Sequence, residues 1–207
     1  MSVKPKRARN QLSPERERGI VKAAADVFVE RGLGNATMDH IAERAGITKV
    51  TLYRRFSNKE ALFENVIQDL AQDVGALMQD LHVTVDEPYA SLRRAAERIA
   101  HLNTQRRYVE LFRLLISEAG RHPEAVFNAR AVINGAILPK ITEFFEDLVA
   151  AGKMTCAEPF LTARSFVILF AKGFRPLFNA VGSEEEEHAH IEHDLGMFIR
   201  GFGIKDT

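Results

Sequence analysis

The sequence predicts an all-α protein of about nine helices, and three observations carry that expectation. Apolar residues recur at helical spacing in nearly every segment. Capping residues stand in front of those segments, with glycines or prolines behind them. No convincing alternation of apolar and polar residues marks a strand, and no long-period repeat is present. A chain of 207 residues with 46% apolar composition can bury a sizeable core in one or two domains.

The first dozen residues, MSVKPKRARNQL, carry four positive charges and little to bury, so they read as a disordered basic arm. Ser13-Pro14-Glu15 then opens a helix: a good N-cap, a proline tolerated at the first position and an acid at the positive helix end. Ile20, Ala23, Ala24, Val27 and Phe28 form its buried stripe, and Gly32 and Gly34 end it. Thr37 caps a second helix through Ala45, with Gly46 placed for a left-handed C-cap. Thr48 caps a third over Lys49 to Phe56, and Ser57-Asn58-Lys59-Glu60 reads as a capping box for a fourth, reaching about Leu81. Later helices are expected from Pro88 to about Asn103, Tyr108 to Ala119, and Pro123 to about Ala151 with a kink at Pro139. Two more follow, from Pro159 to about Val181 with a kink or break at Pro176, and from a second capping box at Ser183 to about Gly201.

A formal net charge of zero hides two unlike parts. Residues 1–60 hold 13 Lys and Arg against 7 Asp and Glu, whereas residues 61–207 hold 15 against 21. Only the N-terminal end is therefore built to attract an anion. No apolar run is long enough to span a membrane or to serve as a secretory signal. One cysteine, Cys156, excludes an internal disulfide framework and fits a reducing cytoplasm.

Three helices with a Gly-containing turn between the second and third match a helix-turn-helix. In the third helix Leu52 and Phe56 are four apart and face the core. Val50, Thr51 and Arg54 then point away, flanked by Lys49, Tyr53 and Arg55. A short helix with an anchored back and a basic front suits the DNA major groove. Thr37 and Thr48 at helix starts, and Lys59 beyond them, can hold phosphates. The plain alternative is a solvated surface with ordinary caps.

The stretch resembles the DNA-binding segment of TetR-family transcriptional regulators. The shared residues are Thr37, Ile41-Ala42, Ala45-Gly46, Thr48, Thr51-Leu52-Tyr53, Phe56, Lys59 and Leu62, with AAADVFVERGLGNATM before them. The resemblance covers about residues 14–63. It implies that Thr37, Tyr53 and Lys59 contact phosphates and that Lys49, Val50, Thr51 and Arg55 lie near base edges. Val50 departs from the family, where Gly, Ala or Pro is common. The implied organisation is an arm over 1–12, a helix-turn-helix DNA-binding domain over 13–60, and a helical ligand-binding and dimerisation domain over 61–207. FRLLISEAGRHPEAVF is similar to some AcrR-like members.

In the second part, Phe166, Phe170 and Phe174 repeat every four residues, and Phe112, Leu115 and Ile116 lie on another helix. Such stripes are core, or they line a pocket for an apolar or aromatic small molecule. Candidate polar groups for such a pocket are His101, Gln105, Arg113 and Glu118. The resemblance implies a homodimer through the last two helices, by Ala163, Val167, Phe170 and Phe174 on one and Ile191, Leu195, Phe198, Ile199 and Phe202 on the other. EEEEHAHIEHD invites a metal reading, but His188 and His190 point to different faces of a helix, so no metal site is expected. No cofactor motif, serine nucleophile, phosphate-binding loop or paired-carboxylate signature is present, and no enzyme is expected. The expected function is a repressor that binds a palindromic double-stranded operator and is released by an effector. The alternatives are a regulator without an effector, or an activator.

Overall fold

The computed structural model describes residues 13–102, 104–171 and 184–205. The expected arm over 1–12, Phe174, the break at Pro176 and the Ser183 cap lie outside the described residues. Among the described residues there are nine helices and no strand. They are α1 (Pro14–Asn35), α2 (Met38–Arg44), α3 (Lys49–Tyr53), α4 (Lys59–Gln79), α5 (Pro88–Leu102), α6 (Arg106–Glu118), α7 (Pro123–Ala150), α8 (Pro159–Phe170) and α9 (Glu184–Gly201). The chain divides into two compact units, Met1–Val66 and Ile67–Thr207, and the division falls within α4.

In the first unit, the Ser13 hydroxyl accepts from the Arg16 N–H, and Gly32 breaks α1 with φ 75° and ψ 160°. The stripe expected of α1 is buried, and Phe28 meets Phe63 edge-on at 5.5 Å. After α2 the chain turns through a Schellman motif: the Ile47 N–H donates to the Ala42 carbonyl and the Gly46 N–H to that of Glu43. Gly46 sits at φ 63°, where a Cβ is unfavourable although open space surrounds it. Gly46→Ala should therefore cost about 1 kcal/mol of stability without a clash, measurable by denaturant unfolding; an unchanged midpoint would show that the turn tolerates a Cβ.

Two expectations are corrected in this unit. The third helix ends at Tyr53, not Phe56. The Leu52 carbonyl accepts from both Arg55 and Phe56, which tightens the last turn and folds Phe56 into the core. The cap of α4 is Asn58 rather than Ser57. Its Oδ1 accepts the Ala61 N–H at 2.8 Å, so the helix begins one residue later than the capping box implies.

In the second unit, α7 packs on α8, and α5 packs on α8 and α9. Their shared core centres on phenylalanines. Phe145 stacks on Phe198 at 5.7 Å and meets Phe166 edge-on at 5.7 Å, and Phe166 lies 4.6 Å from Phe170. α7 runs unbroken through Pro139. α6 packs on α7 and is tied to α4 by Arg107, whose guanidinium reaches Asp69 at 2.5 Å and Asp73 at 2.8 Å.

The residues expected at the dimer contact lie largely within the protomer core. Ala163, Val167, Phe170, Ile191 and Leu195 are buried inside the protomer, and Ile199 and Phe202 are packed against the same core. Helical periodicity marks the face a helix buries, and α8 and α9 bury that face against their own neighbours. The apolar residues they leave exposed are Phe160, Leu161 and Ile168 on α8 and Met197 on α9.

Candidate nucleic-acid interface and ligand cavity

α3 is short, and two features fix its orientation. Leu52 is fully buried behind it, and Thr48 caps its start, accepting from the Thr51 N–H while its hydroxyl meets the Thr51 hydroxyl at 2.9 Å. This leaves Val50 70% exposed and Tyr53 47% exposed, so the front of the helix is free to meet a partner. Thr37 caps α2 in the same way, accepting from the His40 N–H.

The cations of this segment are held more tightly than the sequence suggests. Lys49 pairs with Asp39 at 2.7 Å, and Arg55 pairs with Glu17 at 2.5 Å. In each case the hydrogen bond to the carboxylate, then its charge, pushes the cation's pKa up. These are exposed pairs of modest strength, so a phosphate or base edge can replace the carboxylate. Arg54 is exposed and has no ion-pair partner among the described residues.

Lys59, expected to hold a phosphate, makes contacts within the protein. Its ammonium donates to the Leu33 and Gly34 carbonyls, both at 2.8 Å, and so ties the start of α4 to the end of α1. Two of its three hydrogens are thereby committed within the protein. Lys59→Ala should lower stability by about 1.5–3 kcal/mol, the range for hydrogen bonds to a charged group. It should leave the salt slope of DNA binding unchanged; a slope lower by about one would restore the phosphate role.

The second unit contains a cavity of about 450 Å³. α4 contributes Leu70 and Val74, α6 contributes Tyr108, Phe112 and Leu115, and α7 contributes Arg130, Ile133 and Asn134. Burial and the charge of Asp73 push the Tyr108 phenol up, partly offset by Arg107, so it is a protonated donor at neutral pH. Of the expected ligand residues, Phe112 and Leu115 line this cavity. Val167, expected at the dimer contact, lines it too.

The other expected ligand residues lie elsewhere. Phe166 and Phe170 are in the core. His101 is exposed and meets the Gln105 amide at 2.8 Å, away from the cavity lining. Arg113 is absent from the lining. Glu118 is buried at the end of α6 with His122 Nε2 3.7 Å from its carboxylate, also outside the cavity. Sequence reasoning missed Tyr108, Arg130 and Asn134. The signal was present on α7, where Val126, Arg130, Ile133, Asn134 and Ile137 share one face and polar residues interrupt an apolar stripe. In the acidic histidine segment His188 Nε2 lies 2.5 Å from the Arg93 guanidinium, an unfavourable place for a metal cation.

An anchored helix with an exposed front flanked by cations, preceded by a tight glycine turn, has the geometry of a helix-turn-helix. Residues 20–66 match the bacterial regulatory proteins of the tetR family, and residues 90–204 match the C-terminal domain of AefR-like transcriptional repressors. The chain belongs to the TetR family of transcriptional regulators. It is 41% identical over 90 residues to the transcriptional activator FasR of Mycolicibacterium smegmatis, a match covering 42% of this chain and 41% of FasR. The solved structure of the flavonoid-responsive regulator FrrA superposes with a TM-score of 0.70 at 27% identity, covering 91% of this chain and 97% of that one. A structure from Mesorhizobium loti assigned to the TetR family gives a TM-score of 0.80 at 24% identity, covering 94% and 100%, and supports the fold. No described helix is long and apolar enough to cross a membrane.

Proposed function

We propose that this regulator is a homodimeric repressor that binds a roughly palindromic operator and is released by a small apolar or aromatic effector. The observation that carries the reading is the cavity wall. α4 starts beside the recognition helix in sequence and lines the cavity through Leu70 and Val74. An effector bound there favours one placement of α4 over another, and a coupling of about 1–3 kcal/mol is typical of such linkage. Arg107 strengthens the link, because it joins cavity helix α6 to Asp69 and Asp73 of α4. The match to a repressor C-terminal domain supports repression, and the flavonoid-responsive name of FrrA supports a small-molecule signal. Activation is the second reading, favoured by the likeness to FasR.

At the DNA, Thr37, Thr48, Tyr53 and Arg54 hold phosphates, while Lys49, Val50, Thr51 and Arg55 face base edges. The exposed Phe160, Leu161, Ile168 and Met197 of α8 and α9 form the contact between protomers. A two-fold dimer presents its recognition helices about one DNA turn (~34 Å) or more apart. Because Arg55 must leave Glu17 to reach DNA, Glu17→Gln should tighten operator binding a few-fold. Weaker or unchanged binding would mean that the pair persists on DNA.

The test of effector release is a thermal-shift screen of apolar small molecules, followed by operator binding. Compounds that raise the melting temperature should lower operator affinity, and Ile133→Trp, which fills the cavity, should abolish both effects. Stabilising compounds that leave operator affinity untouched would contradict release.

A further inference from the structure

The cavity carries more information than its apolar lining. Its polar contributors among the described residues are Tyr108, Arg130 and Asn134, and no acidic side chain lines it. Arg130 has no ion-pair partner among the described residues, although the chain beyond residue 60 has an excess of acids. Arg107, Arg93 and Arg94 of this unit are matched by acids, whereas Arg121, Arg164 and Arg200, like Arg130, have no ion-pair partner among the described residues. Of the described arginines, Arg130 is the one that lines the cavity. Arg130 and Asn134 are one turn apart on the cavity face of α7, with Ile133 and Ile137 beside them. Arg130 is exposed and Asn134 half-buried, so the positive end of the lining is its solvent-facing end.

Resting on the reading of this cavity as the effector site, we propose that its ligand is an amphiphile with an apolar body and one carboxylate, the carboxylate held by Arg130 with Asn134 and Tyr108 as further donors. A guanidinium presents a planar fork that matches a carboxylate with two parallel hydrogen bonds. The Asn134 amide and the Tyr108 hydroxyl each add a donor, and the aliphatic walls take the body. A cationic amphiphile meets repulsion at Arg130. A neutral one of the same length gains the walls but not the anchor.

The experiment is calorimetric titration of the DNA-free protein with decanoate, 1-decanol and decyltrimethylammonium, on wild type and Arg130→Gln. Decanoate should bind wild type at least about tenfold more tightly than decanol, with the cation weakest. Arg130→Gln should remove that preference while leaving decanol unchanged, and Tyr108→Phe should weaken decanoate several-fold. Equal affinity for the three probes, a preference for the cation, or an equal loss of decanoate and decanol in Arg130→Gln would overturn the assignment. Binding is read without DNA, so the outcome is separate from effector release. Decanoate that binds through Arg130 but leaves operator affinity unchanged would refute release and keep the carboxylate site.

Discussion

Val50→Glu should abolish operator binding while leaving the protein folded. Val50 is 70% exposed at the front of α3, so a glutamate there breaks no internal contact, and exposed substitutions of this kind shift stability by only about 0.5 kcal/mol. On DNA the same carboxylate meets phosphates and acceptor-rich base edges. Like charges brought together at an interface cost several kcal/mol, so a loss of roughly 100-fold or more is expected. Fluorescence anisotropy with a labelled operator, alongside a melting curve, measures both halves. Full binding by the variant would remove α3 from the interface.

The second large effect is on stability. Phe166 is fully buried and touches Phe145, Phe170 and Phe198, with ring centroids 4.6–5.7 Å away. Truncating a buried phenylalanine costs about 3–5 kcal/mol through lost transfer energy and the cavity left behind. In a protein of this size that lowers the melting temperature by roughly 6–20 °C. Phe166→Leu should recover most of the loss. A drop of under a degree or two for Phe166→Ala would show that the aromatic cluster is not what holds α5, α7, α8 and α9 together.

The sequence was legible where local chemistry decides structure. Thr37, Thr48 and Gly46 each have one conformational use at their position, and the structure shows each of them in that use. It was less legible where two local solutions compete. Ser57 and Asn58 are both good caps, and only the Asn58 bond to Ala61 decides between them. Long-range pairing was not legible at all. Nothing in the pattern joins Arg55 to Glu17, 38 positions away, or Lys59 to the carbonyls of Leu33 and Gly34. Apolar periodicity also says that a face is buried without saying against what, and much of the apolar face of α8 and α9 packs against their own neighbours. The polar part of the cavity escaped for a related reason: the space is bounded by residues of five helices, α4 to α8, and only the interrupted stripe at Arg130 and Asn134 betrays those residues in sequence.

The central claim is sequence-specific DNA recognition through α3. It is tested most directly by selecting genomic fragments with purified wild-type protein and with Val50→Glu side by side, at a fixed salt concentration. The account predicts that wild type enriches a site with inverted half-sites about one helical turn apart, and that the variant enriches none. Equal enrichment by both proteins, or fragments without a shared site, would contradict it.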